Sequence, residues 1–108
     1  MILIKLLYNM LMVLNMKIIK IVLQGVIRGT GFKAYIYLLA KSLRLKGYIM
    51  DIDEEKELIC VEGDEGQINI FLDSLNKGPP FTLINSVTVS ESHESCHTSE
   101  FEIYYREF

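Results

Sequence analysis

At 108 residues, half of them hydrophobic and 23% charged, with a formal net charge of −3, the chain supports one domain with a single core. This composition excludes a disordered segment, and the mildly acidic balance argues against nucleic acid as the main partner. Cys60 and Cys96 form no paired motif, so they predict no disulfide framework and read as the reduced thiols of a cytoplasmic protein.

Residues 1–15 are mostly Leu, Ile, Met and Val, with one lysine, Lys5, and no acidic residue. The run is shorter than the roughly 20 apolar residues a membrane span needs, and no small-residue cleavage site follows it. Met16 opens Met-Lys-Ile-Ile-Lys-Ile, which reads as the natural start of a domain over 16–108. The favoured expectation for 1–15 is an apolar extension from a mis-assigned start. The less favoured one is a helix that contacts the domain, a partner or a membrane surface.

Ile18 to Leu23 is aliphatic and β-branched and predicts a strand. Gly25 to Lys33 follows as a loop with three glycines in seven positions, Gly25, Gly29 and Gly31. Such a loop turns tightly and can point successive N–H groups into one concavity, with a helix N-terminus and Lys33 adding positive charge. This is the pattern of an anion cradle, most simply for phosphate. Phe32, Ile36, Leu39, Ala40 and Leu43 recur at helical spacing and predict a helix to about Leu45, with Gly47 as terminator.

Tyr48 to Ile52 and Glu57 to Glu62 predict a hairpin around an acidic turn. The acidic cluster from Asp51 to Glu57 reads as a solvated turn rather than a cation site. Asp64 with Gln67 resembles a capping box, and Ile68, Phe71, Leu72 and Leu75 continue a second helix that Lys77-Gly78-Pro79-Pro80 stops. Leu83 to Val89 is a fourth strand, Ser90 to Ser99 a polar loop, and Phe101, Ile103 and Tyr105 mark a last strand. His93, Cys96 and His97 lie close together in that loop but lack the spacing of a zinc site, so no metal is expected. Cys60 reads as a small core residue, and the tyrosines as packing or rim residues. The order predicts an α+β fold, a ferredoxin-like βαββαβ sandwich with two helices on one face of an antiparallel sheet and a fifth strand.

The loop also resembles a family. Gly25, Gly29 and Phe32 fall on the Gly-x-Val-Gln-Gly-Val-x-Phe-Arg motif of acylphosphatases, with Ile27, Arg28, Thr30 and Lys33 as substitutions. The resemblance runs from about Lys17 to the C-terminus and implies the same fold. Gly31 to Ala40, and Pro79-Pro80 ahead of Ile84 to Val87, resemble a subgroup more closely. That subgroup is the N-terminal acylphosphatase-like domain of the carbamoyltransferase that matures nickel–iron hydrogenases, which handles carbamoyl phosphate. The resemblance implies a phosphate cradle formed by the backbone N–H groups of Arg28, Gly29, Thr30, Gly31 and Phe32. It places the catalytic arginine on Lys33 and the water-orienting asparagine on Asp51. Lysine lacks the arginine fork, and ionised aspartate can only accept hydrogen bonds. Losing one well-placed donor typically costs about 10²–10³ in rate, so the resemblance implies weakened hydrolysis of a small acyl phosphate. If Lys33 and Asp51 face each other they are expected to pair, with Arg28 able to restore a fork if it turns inward. The family implies no cofactor, and a monomer is expected. The alternative is a non-catalytic module that binds an anion or a protein partner, a truncated or decayed piece of that carbamoyltransferase.

Overall fold

The computed structural model describes residues 2–106 of the chain. Met1 of the expected extension, and Glu107 and Phe108 of the expected domain, lie outside the described residues. Four strands follow the predicted order: β1 (Met16–Val26), β2 (Lys46–Asp51), β3 (Lys56–Asp64) and β4 (Leu83–Glu91). A short β5 (Phe101–Tyr104) completes a five-stranded sheet in the order β4-β1-β3-β2-β5. The pairs β4–β1, β1–β3 and β3–β2 are antiparallel, whereas β5 lies parallel to β2. Helices α2 (Phe32–Ser42) and α3 (Glu65–Ser74) supply the two crossovers, which is the ferredoxin-like plan.

Strand alternation sorts the sheet into two faces. Ile19, Ile21 and Leu23 of β1, Ile49 of β2, and Ile59 and Val61 of β3 turn toward Phe32, Ile36 and Ala40 of α2 and Ile68 and Phe71 of α3. Full burial of such a side chain contributes roughly 1.5–3 kcal/mol, so this layer carries the fold. Asp64 caps α3 as its sequence position suggests, its carboxylate accepting from the Gly66 N–H at 3.1 Å. The α2 end differs from expectation. Arg44, not Gly47, takes the left-handed conformation (φ 57°), and the Leu45 N–H closes the helix onto the Ala40 carbonyl at 2.9 Å. Gly47 lies inside β2, paired with Val61 and Phe101.

The opposite face of the sheet corrects a second expectation. Cys60 and Cys96 form a disulfide, 36 residues apart in sequence, with Cα atoms separated by 6.0 Å. Ile59 and Val61 turn to the helices, so Cys60 between them points the other way. The 92–100 segment crosses that face and is pinned there, as Glu62 Oε1 also accepts from the Ser95 hydroxyl and the Cys96 N–H. This segment is therefore anchored, and the disulfide removes the free thiols on which a cytoplasmic assignment leaned.

Residues 2–14 form a helix, α1 (Ile2–Leu14), that enters β1 through Asn15, whose carbonyl accepts from the Glu65 N–H at 2.9 Å. Ile2, Leu3, Ile4, Leu6, Leu7, Tyr8, Met10 and Leu11 are all more than half exposed. At about 20 Å, α1 is too short to span a bilayer. Among the described residues, no helix is long and apolar enough to cross a membrane.

Candidate functional site

The loop after β1 is set by a register shift at Gln24 and Gly25 in the β1–β4 pairing. A Cβ on Gly25 would lie 1.9 Å from the Leu83 carbonyl oxygen, so only glycine lets β4 come this close. Gly29 (φ 75°) and Gly31 (φ 85°) then take left-handed conformations within three residues, which turns the chain back on itself. Thr30 braces the turn. Its hydroxyl donates to the Ile27 carbonyl at 2.5 Å and accepts from the Thr82 hydroxyl at 2.8 Å. The Thr30 N–H is engaged with the same Ile27 carbonyl at 3.3 Å.

Gly31 is the N-cap of α2 and offers no side-chain acceptor, and the first helical bond runs from the Tyr35 N–H to the Gly31 carbonyl. The first-turn amides of Phe32, Lys33 and Ala34 thus lack intrahelical acceptors. They border an open concavity of 220 Å³ lined by Ile27, Arg28, Gly29, Gly31, Phe32, Lys33, Ala34 and Tyr105. A larger one, 320 Å³, lies at the other end of β1 around Met16 to Ile18. Its lysine, Lys17, is held by Glu65 and Glu91 at 3.0 and 3.1 Å.

Lys33 and Asp51 do face each other. Lys33 Nζ lies 2.5 Å from Asp51 Oδ1, an ion contact without hydrogen-bond directionality, and donates to Glu57 Oε1 at 2.7 Å. Asp51 and Glu57 sit directly opposite in the β2–β3 pairing, with 2% and 1% of their surface exposed. The acidic cluster is thus not wholly a solvated turn: Asp53, Glu54 and Glu55 are exposed, but its two ends are buried. Glu57 escaped the sequence reading. The signal was its parity, since Glu57 falls in phase with Ile59 and Val61 and so on the core face.

Burial acts to lower the Lys33 pKa, but the close contacts and charges of Asp51 and Glu57 outweigh it and raise the pKa. Burial likewise pushes Asp51 up. The bonds from Lys33 and Glu57, with the charges of Lys33 and Arg28, carry it below its usual range. Glu57 goes the other way. Burial, reinforced by Asp51 and opposed by Lys33, pushes its pKa up to about 7. Arg28 is exposed at the rim and close enough for its charge to act on Asp51. Among the described residues no group of His, Cys, Asp and Glu is arranged to hold a metal, and Cys96 is committed to the disulfide.

Comparison with known proteins agrees with this fold. The acylphosphatase family model matches residues 19–103. An acylphosphatase of Thermotoga maritima is 40% identical over 77 residues, covering 71% of this chain and 86% of its own. A protein of Methanocaldococcus jannaschii named "Probable carbamoyltransferase HypF" is 32% identical over 74 residues, which is 68% of this chain but 10% of that one. The crystal structure of acylphosphatase from Bacillus subtilis superposes with a TM-score of 0.75 at 26% identity, covering 82% of this chain and 98% of that one. A match over most of the sheet and both crossover helices, with the glycine loop inside it, makes the chain a member of the acylphosphatase family.

Proposed function

We propose that the chain binds small acyl phosphates in the loop at 27–33 and hydrolyses them slowly. One observation supports this most: Lys33 stands at the mouth of the loop, where the family's arginine falls, yet its ammonium is held by Asp51 and Glu57. The loop amides and the Lys33 charge would hold the phosphoryl oxygens, with Arg28 at the rim as a second cation. Asp51 stands at the water-orienting position, from which it can accept a hydrogen bond from the attacking water. That water adds to phosphorus as the bond to the acyl oxygen breaks; the carboxylate leaves with the electron pair, and the water's protons go to the phosphate formed and to solvent. Water is the only co-reactant, and the positive charge comes from the chain itself.

The weakness has a physical origin. A point cation engaged by two carboxylates offers less to a phosphoryl group than an arginine fork, and an ionised Asp51 repels the anion it should serve. Restoring both groups, Lys33→Arg with Asp51→Asn, should raise benzoyl phosphate turnover at least about tenfold over the parent chain. A folded double variant with no gain would overturn the catalytic reading. The similarity to HypF favours carbamoyl phosphate as the second substrate to assay, and it supports a second reading in which the loop binds an anion without turning it over. Saturable binding of carbamoyl phosphate with no hydrolysis, in the parent and the double variant alike, is what that reading predicts.

A further inference from the structure

Glu57 restrains Lys33 but takes no step in the hydrolysis, and its burial needs an explanation. A carboxyl group with 1% of its surface exposed, among Ile59, Val61 and the α2 helix, needs a partner. Lys33 supplies one at 2.7 Å, but the same ammonium already serves Asp51. Two carboxyls therefore share one lysine: Asp51 Oδ1 meets the ammonium as an ion contact, and Glu57 Oε2 is buried without a directed hydrogen bond.

The charged groups around this pair are few. Arg28 approaches Asp51 from the loop, and Arg106 Nη1 donates to the Asp51 backbone carbonyl at 3.5 Å. Lys56 neighbours Glu57 on β3 but points to the other face of the sheet. His93 lies by the Met16–Ile18 concavity, and His97 sits next to the disulfide on that far face. Lys33, Arg28 and Arg106 thus exceed the two carboxylates by one positive charge when both are ionised, and by two when one carboxyl is protonated.

We propose that Glu57 is a positioning residue that gates the anion loop with a proton: neutral, it releases Lys33 to a bound anion, and ionised, it draws Lys33 back into the sheet. This rests on the reading that the 27–33 loop binds phosphate-like anions. Burial brings the protonation of Glu57 close to neutral pH, so the gate would move in the range where most proteins work. A titrating carboxyl thus sets how much of the lysine charge the substrate meets.

Sulfate is the appropriate probe, because it stays doubly charged across the range while phosphate titrates. Its affinity for the full chain is measured by calorimetry at about pH 5.5 and about pH 8.5, with Glu57→Gln alongside. The parent should bind at least about tenfold tighter at the lower pH, while Glu57→Gln should bind at the higher pH as tightly as the parent does at the lower. A parent affinity that is flat with pH, or a Glu57→Gln profile that still follows the parent's, overturns the gate and leaves the loop as an anion site. Absence of sulfate binding in both chains at both values overturns the gate together with the site. Should Glu57→Gln fail to fold, carboxyl-carbon NMR of the parent decides. A Glu57 midpoint near neutrality that rises with bound sulfate supports the gate, and a Glu57 ionised throughout overturns it.

Discussion

Reducing the Cys60–Cys96 disulfide is expected to cost the fold about 4 kcal/mol. The bond closes a segment of 36 residues, and chain-entropy arguments give about that value for a loop of this length. What the bond holds makes the effect large. Apart from the disulfide, the 92–100 segment is held by two hydrogen bonds to Glu62, one from the Ser92 N–H to the Ile18 carbonyl, the exposed Lys41–Glu100 pair and the buried Cys96 side chain. Behind it comes β5, four residues long, which among the described residues pairs with β2 alone. Releasing Cys96 lets both loosen together and uncovers Cys60. For a domain of this size the loss corresponds to a fall in Tm of roughly 20 °C. Thermal unfolding with and without reductant, and of Cys96→Ala, would show it. Superimposable curves would mean that the bond constrains little in the unfolded chain.

Lys33→Ala should be costly at alkaline pH and mild at acid pH. Removing the lysine leaves Asp51 and Glu57 opposite each other, buried, with no cation between them. Breaking a buried ion pair in this way typically costs about 3–5 kcal/mol while the remaining charge persists. Carboxyls can escape the cost by taking up protons, so the penalty shrinks as pH falls. The sign follows from linkage. In the parent, Glu57 is raised from 4.5 to about 7, so its stabilising share is present below 4.5 and lost as pH rises through about 7. Asp51 is lowered from 3.8, so its share is present above 3.8 and lost as pH falls below it. Without Lys33 both carboxyls shift upward, and the variant falls away from the parent most steeply above neutrality. Urea unfolding of both chains at about pH 5 and about pH 8 tests this, and an equal loss at both would contradict the charge account.

Much of the architecture was readable from periodicity. Ile19, Ile21 and Leu23 gave β1, the Phe32–Ile36–Ala40 spacing gave α2, and Asp64 marked the start of α3. The glycine loop was readable because Gly29 and Gly31 adopt conformations that other residues resist. What stayed hidden depended on distant pairing. Nothing in the spacing of Cys60 and Cys96 tells that the chain brings them onto one face, since that needs the 92–100 segment folded back over β3. Composition misled at Glu57, where a charged residue beside an acidic turn was read as part of it. The in-phase Ile59 and Val61 carried the better information. The end of α2 was misplaced for a related reason. Gly47 looks like a terminator, but Arg44 takes that role and Gly47 is claimed by β2.

The central claim is that an anion binds in the 27–33 loop, against Lys33. Mapping the backbone amide shifts of the full chain as inorganic phosphate is added tests it most directly. The account predicts saturable shifts at Arg28 to Ala34, with smaller ones at Asp51 and Glu57 as Lys33 is drawn away. Shifts confined to the concavity around Met16 and His93, or none at all in a folded chain, would contradict it.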